Sequence, residues 1–169
     1  MQTVDNRWMR GLMCCFALIL MLVTGCRESK DIFDAADKGN LQDVKYFIEK
    51  KGMDVNTKDN MGWTPLHHAV GGNCDVDFPK YLIEKGADVN AQTKDGTTPL
   101  HIAARDNSNL DVFKYLIENG ANVNAQRKDG ETPLDYTINS PIFRETVFET
   151  LGEKQAILRE VGGKSGNEL

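Results

Sequence analysis

The sequence has no surplus of positive charge: 20 Lys and Arg stand against 25 Asp and Glu, a formal net charge of -5. Phosphate backbones demand clustered cations, so nucleic acid is not an expected partner. Cysteine is sparse and badly spaced for structure, with four residues at positions 14, 15, 26 and 74, which suits neither a disulfide framework nor a zinc site. Histidine is limited to His67, His68 and His101, too few ligands for a metal without converging carboxylates or thiols. A P-loop, a dinucleotide fingerprint and a paired nucleophile and base are all missing. No enzyme, catalytic residue, cofactor or metal is therefore expected. Five Pro, 15 Gly, 8% aromatic and 40% apolar residues describe a folding chain and not a low-complexity one. Its 169 residues suit a single domain.

Long apolar runs are also scarce, and the longest sits near the start. Residues 12–23 are 12 uncharged, mostly apolar residues preceded by Arg7 and Arg10 and followed by Thr24-Gly25-Cys26. As a helix this run spans about 18 Å, short of a bilayer core of roughly 30 Å, so it reads as a signal peptide and not a membrane span. The order of charge, apolar run, small residues and cysteine resembles a bacterial lipoprotein signal. That resemblance implies removal of residues 1–25 together with Cys14 and Cys15, lipidation of Cys26 as the new N-terminus, and Cys74 as the remaining free thiol. Arg27 stands where an aspartate would imply retention in the inner membrane, so the implied location is the outer membrane, on its periplasmic side. Loss of Asp5, Arg7 and Arg10 takes the net charge from -5 to -6, which argues against electrostatic adhesion to an anionic bilayer. The tether, residues 26–29, is short: the four residues before Asp31 reach at most about 14 Å, so the folded part is expected close to the membrane.

The rest of the chain repeats itself. Thr64-Pro65-Leu66-His67, Thr98-Pro99-Leu100-His101 and Thr132-Pro133-Leu134-Asp135 recur every 34 residues. Tyr81-Leu82-Ile83-Glu84 and Tyr115-Leu116-Ile117-Glu118 keep the same period, and Tyr46-Phe47-Ile48-Glu49 is a third copy displaced by one residue, because Lys50-Lys51 replaces a single lysine. Each threonine is expected to cap a short helix through its hydroxyl, with proline in the first turn, where its missing N–H is harmless. A second helix follows, with Val112, Phe113, Leu116 and Ile117 on one face and Gly120 as its left-handed end. An Asp-Gly turn leads to the next unit.

These motifs resemble the ankyrin repeat, whose T-P-L-H-x-A-A and G-A-x-V-N-A signatures are met at residues 98–104 and 120–125. The resemblance implies an all-α repeat solenoid of about four stacked helix-loop-helix-turn units over residues 30–161. Its ends are atypical: Lys30-Asp31-Ile32-Phe33 replaces the first motif, and Asp135 replaces the last histidine. Ser140-Pro141 is expected to restart a helix, residues 153–161 to add another, and residues 162–169 to form a flexible tail. The motif histidines are implied to tighten their own turns.

The family binds partner proteins through turn tips and first helices. Carried onto this chain, the implied tips are Lys58, Asn60 and Met61; Gln92, Lys94 and Asp95; and Gln126, Lys128 and Asp129. Trp63, Thr97 and Glu131 precede the Thr-Pro pairs, and Arg105 and Asp106 end one short helix. Trp63 is the favoured anchor, since tryptophan is over-represented at binding hot spots. The expected protein is a monomeric, membrane-anchored binding module, either an envelope scaffold or adaptor or an immunity-type inhibitor of a secreted toxic enzyme. A hydrolase would need catalytic groups that the sequence does not assemble.

Overall fold

The computed structural model describes residues 29–71, 75–105, 109–138 and 145–169. The apolar run at residues 12–23 read as a signal, Cys26, Cys74, Asp106 and Ser140-Pro141 lie outside the described residues. Among these the regular structure is entirely helical, and none of the helices is long and apolar enough to cross a membrane.

Each unit begins where the sequence supplies a stop to the preceding chain and a start to the helix. Asp31 caps α1 (Ile32–Asp37) by accepting the Asp34 N–H at 2.8 Å. Asn40 caps α2 (Leu41–Lys45), which runs on as a π-helical turn, Tyr46–Lys50. The two fuller units are α3 (Pro65–Gly71) with α4 (Asp77–Glu84), and α5 (Pro99–Arg105) with α6 (Leu110–Glu118). Pro79 falls in the first turn of α4 and is tolerated there. The last unit pairs α7 (Pro133–Ile138) with α8 (Glu145–Glu160). One continuous helix thus replaces the separate segment expected at 153–161, carrying Gly152 in its interior.

First helices stack on first helices, α1 on α3, α3 on α5 and α5 on α7, while each also packs on its own second helix. The shared core is drawn from every unit: Ile32 and Val44, Leu66 and Leu82, Leu100 and Leu116, Leu134 and Leu158 are all fully buried. Each such side chain contributes about 1.5–3 kcal/mol relative to exposure, and no unit could bury its face alone. The expected solenoid is the fold observed.

An asparagine ladder registers one unit on the next. Asn56 donates to the Gly86 carbonyl and accepts the Asp88 N–H, at 2.9 and 2.8 Å. Asn90 repeats this with Gly120 and Asn122, at 2.9 and 2.7 Å. Asn124 continues it with Gly162 and Lys164, at 3.0 and 2.8 Å. This corrects the reading of residues 162–169 as a flexible tail. Leu158, Gly162 and Gly163 hold the places of Leu116, Gly120 and Ala121, and Thr132 Oγ1 donates to the Lys164 carbonyl at 2.8 Å. The 3-10 turn Gly166–Glu168 then ends the chain with its own capping box.

Candidate functional site

Three β-turn hairpins project between the units. In each, a main-chain N–H closes the arms, Asp59 on Trp63, Thr93 on Thr97 and Arg127 on Glu131, at 2.9 to 3.0 Å. The hairpins are joined to one another in a row: Lys94 N–H donates to the Met61 carbonyl at 3.0 Å and Lys128 N–H to the Asp95 carbonyl at 2.9 Å. Gly62 makes this approach possible. At φ +83° it lies so close to the next hairpin that a Cβ there would meet Lys94 N at 2.9 Å. A Cβ on Gly130, at the end of the row, would meet nothing within 4 Å.

The motif histidines anchor these arms. The Thr64 N–H can only donate, and it reaches His67 Nδ1 at 3.1 Å, so Nδ1 is the acceptor and Nε2 carries the proton. Nε2 then donates to the Thr97 carbonyl of the next unit at 3.1 Å. His101 repeats the pattern with Thr98 at 3.2 Å and Glu131 at 3.3 Å. Each histidine thus tightens its own turn, as the resemblance implied, and also latches the following hairpin. The hydroxyls of Thr64 and Thr98, expected to cap helix amides, instead sit 2.8 Å from these Nδ1 atoms. Burial, only partly offset by the carbonyl partner, pushes both imidazoles down to about 4.

Asp135 solves the same problem with inverted polarity. Its carboxylate accepts the Thr132 N–H at 2.9 Å and the Gly166 N–H at 2.7 Å. A histidine donor meets a carbonyl in the earlier units, and here a carboxylate acceptor meets an amide. Burial works against the charge, but these N–H donors prevail and hold the carboxyl below its usual range.

Sequence reasoning missed Arg127. Its Nε donates to Thr97 Oγ1 at 3.0 Å, and its guanidinium reaches Asp95 and Asp129 at 2.7 Å and Glu131 at 3.1 Å. It lies 5.0 Å from the Tyr136 ring centre, with Arg105 over the same ring at 5.3 Å. Thr93 also donates to Asp95, and with the Arg127 and Thr97 bonds this holds the Asp95 carboxyl well below the usual range. The available signal was an arginine placed where the other hairpins carry Asp59 and Thr93, facing Asp95 and Glu131 at periodic positions.

The implied binding residues therefore separate into two groups. Lys58, Asn60, Met61, Gln92, Lys94, Asp95, Gln126, Lys128 and Asp129 are exposed, Met61 by 64%, although Lys58 donates to the Gln92 carbonyl at 3.0 Å. Thr97 is a correction: it is 6% exposed and bonded to Asp95 and Arg127, so it supports the hairpin and offers no contact. Glu131 and Arg105 are half-buried around Arg127 and Tyr136. Trp63 is half-buried, its ring 5.2 Å from His68 and 5.9 Å from His67, and so is committed first to its own unit. Among the described residues no three His, Cys, Asp or Glu side chains are grouped as metal ligands.

A row of hydrogen-bonded hairpins over stacked helix pairs defines a helical-repeat binding scaffold. The family comparisons agree: residues 18–93 match ankyrin repeats (3 copies) and residues 82–136 match ankyrin repeats (many copies). The chain is an ankyrin-repeat protein, and such repeats are protein–protein interaction modules. It is 41% identical over 46 residues to the human 2-5A-dependent ribonuclease and 48% identical over 42 residues to the bovine acyl-CoA-binding domain-containing protein 6. These matches cover 27% and 25% of this chain but only 6% and 15% of the relatives. The activities in their names are no guide to this one.

Proposed function

We propose that this chain is a membrane-anchored binding module of a bacterial cell envelope, a scaffold or adaptor that recognises one partner protein stoichiometrically and does no chemistry itself. The hairpin row carries this reading. Lys94 and Lys128 are exposed at successive tips, and the neighbouring Asp95 and Asp129 share the one guanidinium of Arg127 with Glu131. Met61 adds an exposed apolar contact at the same edge. The tips thus present lysines, partly balanced carboxylates and one apolar side chain on a mutually bonded frame. Support for the anchor comes from the lipoprotein-like order of residues 7–26.

The test uses residues 27–169 as bait against envelope extract, beside a Met61→Ala, Lys94→Ala, Lys128→Ala variant. One stoichiometric protein captured by the parent and lost by the variant is the expected result. A partner retained by the variant would move the site elsewhere, and no partner at all would remove the reading. If the captured protein is a secreted enzyme silenced on binding, the module is an inhibitor and not a scaffold. Cys26→Ala is expected to shift the full chain out of the membrane fraction.

A further inference from the structure

The first unit differs from the next two by one residue. Tyr81 and Gly86 are five apart, as are Tyr115 and Gly120, but Tyr46 and Gly52 are six apart. The added residue is absorbed as the π-helical turn Tyr46–Lys50, with the Lys51 N–H donating to the Tyr46 carbonyl at 3.1 Å. Wider turns of this kind are rare and recur where a surface is used. Here Tyr46 is left 50% exposed, with the Lys51 ammonium 5.7 Å from its ring centre and Phe47 edge-on at 5.9 Å.

Tyr46 and Phe47 share a groove with Ser29 and Asp43. The Ser29 N–H donates to Asp43 at 3.0 Å, so the chain enters the fold pinned to α2. Ser29 is three residues after Cys26, a span of at most about 10 Å. The α2 face is therefore within that distance of the anchoring position.

Charge is distributed to match. The net -6 of the processed chain falls entirely after residue 51, where 12 basic residues meet 18 acidic ones. Residues 29–51 hold five lysines and five carboxylates; Asp31 accepts the Asp34 N–H, Asp37 lies 3.9 Å from His68, and the other three are also occupied. Glu49 pairs with Lys85 at 3.0 Å and accepts from Tyr81, Asp34 pairs with Lys38 at 2.6 Å, and Asp43 holds Ser29. Lys50 and Lys51 are exposed. An amphipathic ring beside exposed lysine ammonium groups, one of them over the ring, suits the headgroup layer of a bilayer.

We infer that the π-turn face, Tyr46 with Lys50 and Lys51, lies against the anionic headgroups of the membrane that holds Cys26 and so sets the orientation of the solenoid on it. This rests on the anchored reading above; residues 26–51 carry no net charge, and the acidic surplus of the chain lies elsewhere.

The test separates the two claims. Residues 27–169 contain the whole described core, from Ile32 to Leu158. An N-terminal hexahistidine tag holds them on vesicles through a nickel-chelating lipid, whatever the fate of Cys26. A p-benzoyl-phenylalanine replaces Tyr46 or, as the control, Lys128, and lipid adducts are counted after illumination. With phosphatidylglycerol in the vesicles, position 46 is expected to give roughly tenfold more adduct than position 128. Lys50→Glu with Lys51→Glu should lower that adduct about tenfold, given the attraction of each lysine to an anionic surface, while Lys94→Glu with Lys128→Glu should not. Equal adducts from both positions, or indifference to Lys50 and Lys51, would overturn the inference. Acylation is read separately from the mass of the N-terminal peptide of the full chain: an unmodified Cys26 removes the anchor and leaves the headgroup contact to be judged on the vesicle result.

Discussion

His67 donates its Nε2–H to the carbonyl oxygen of Thr97, 3.1 Å away in the next unit, from a ring that is fully buried. Protonation at Nδ1 leaves that donor in place but removes the acceptor for the Thr64 N–H and strands a charge inside the stack. His101 stands in the same position toward Glu131.

A pH dependence follows from this pair. Unfolded imidazoles titrate near 6.5, and burial pushes both folded ones down to about 4. Between these values the unfolded chain binds more protons, so the contribution is complete above pH 6.5 and is lost as pH falls toward 4. By pH 5 the loss is about 2 kcal/mol per ring. Urea midpoints should fall steadily from pH 7 to pH 5, before carboxylates titrate. A flat profile over that range would contradict the assignment. The lowered Asp59, Asp95 and Asp135 add a further loss in the same direction at lower pH.

Polarity at the last Thr-Pro motif is testable by exchange. Asp135→Asn keeps an acceptor for the Thr132 and Gly166 amides and should cost about 1 kcal/mol or less. Asp135→His restores the motif residue yet points a donor at an amide, and should cost roughly 2–3 kcal/mol. Chemical denaturation of both variants decides it; a histidine variant as stable as the parent would show that the inversion has no energetic content.

The hairpin row predicts unequal costs for the same glycine change. Gly62→Ala suffers both its φ of +83° and a Cβ 2.9 Å from Lys94 N, whereas Gly130→Ala at φ +85° meets nothing within 4 Å. The second should cost about 1 kcal/mol and the first at least ~1 kcal/mol more. Thermal melts of the two single variants measure the difference, and equal melting temperatures would mean that the hairpins are not in register in solution.

Arg127→Lys keeps the charge but loses the fork that spans Asp95, Asp129, Glu131 and Thr97. It should behave more like Arg127→Ala than like the parent, at a cost of ~1–2 kcal/mol because the carboxylates are half-exposed. Amide exchange at Lys128, bonded to the Asp95 carbonyl, should quicken in both variants. Protection unchanged in the lysine variant would show that charge alone holds the hairpin.

The repeat was legible because Thr-Pro-Leu-His and Gly-Ala-x-Val-Asn mark fixed points of each unit at one spacing. The end of the fourth unit was hidden because that spacing slips: Leu116 and Gly120 reappear as Leu158 and Gly162, 42 residues on, and so residues 162–164 read as a tail. The extra lysine at 50–51 was visible, but a sequence does not say whether an insertion becomes a loop or a wider helical turn. Arg127 was missed and Thr97 misjudged for a related reason. Exposure in a hairpin tip depends on which side chains of the adjacent hairpin lean across it, and that information lies between repeats.

Lys154 gives the two ends of the stack different strengths. It is 1% exposed, and its ammonium donates to the Ala103 and Ala104 carbonyls at 2.7 and 3.3 Å, closing the C-terminal end of α5 from a helix 51 residues further along. Its helix, α8, touches α5 and α6 as well as its own partner α7. In a simple array each unit is held only by its neighbour and opens from either end. Here the far end is stitched across two units, so opening is expected to start at the first unit, where no such bridge is seen among the described residues.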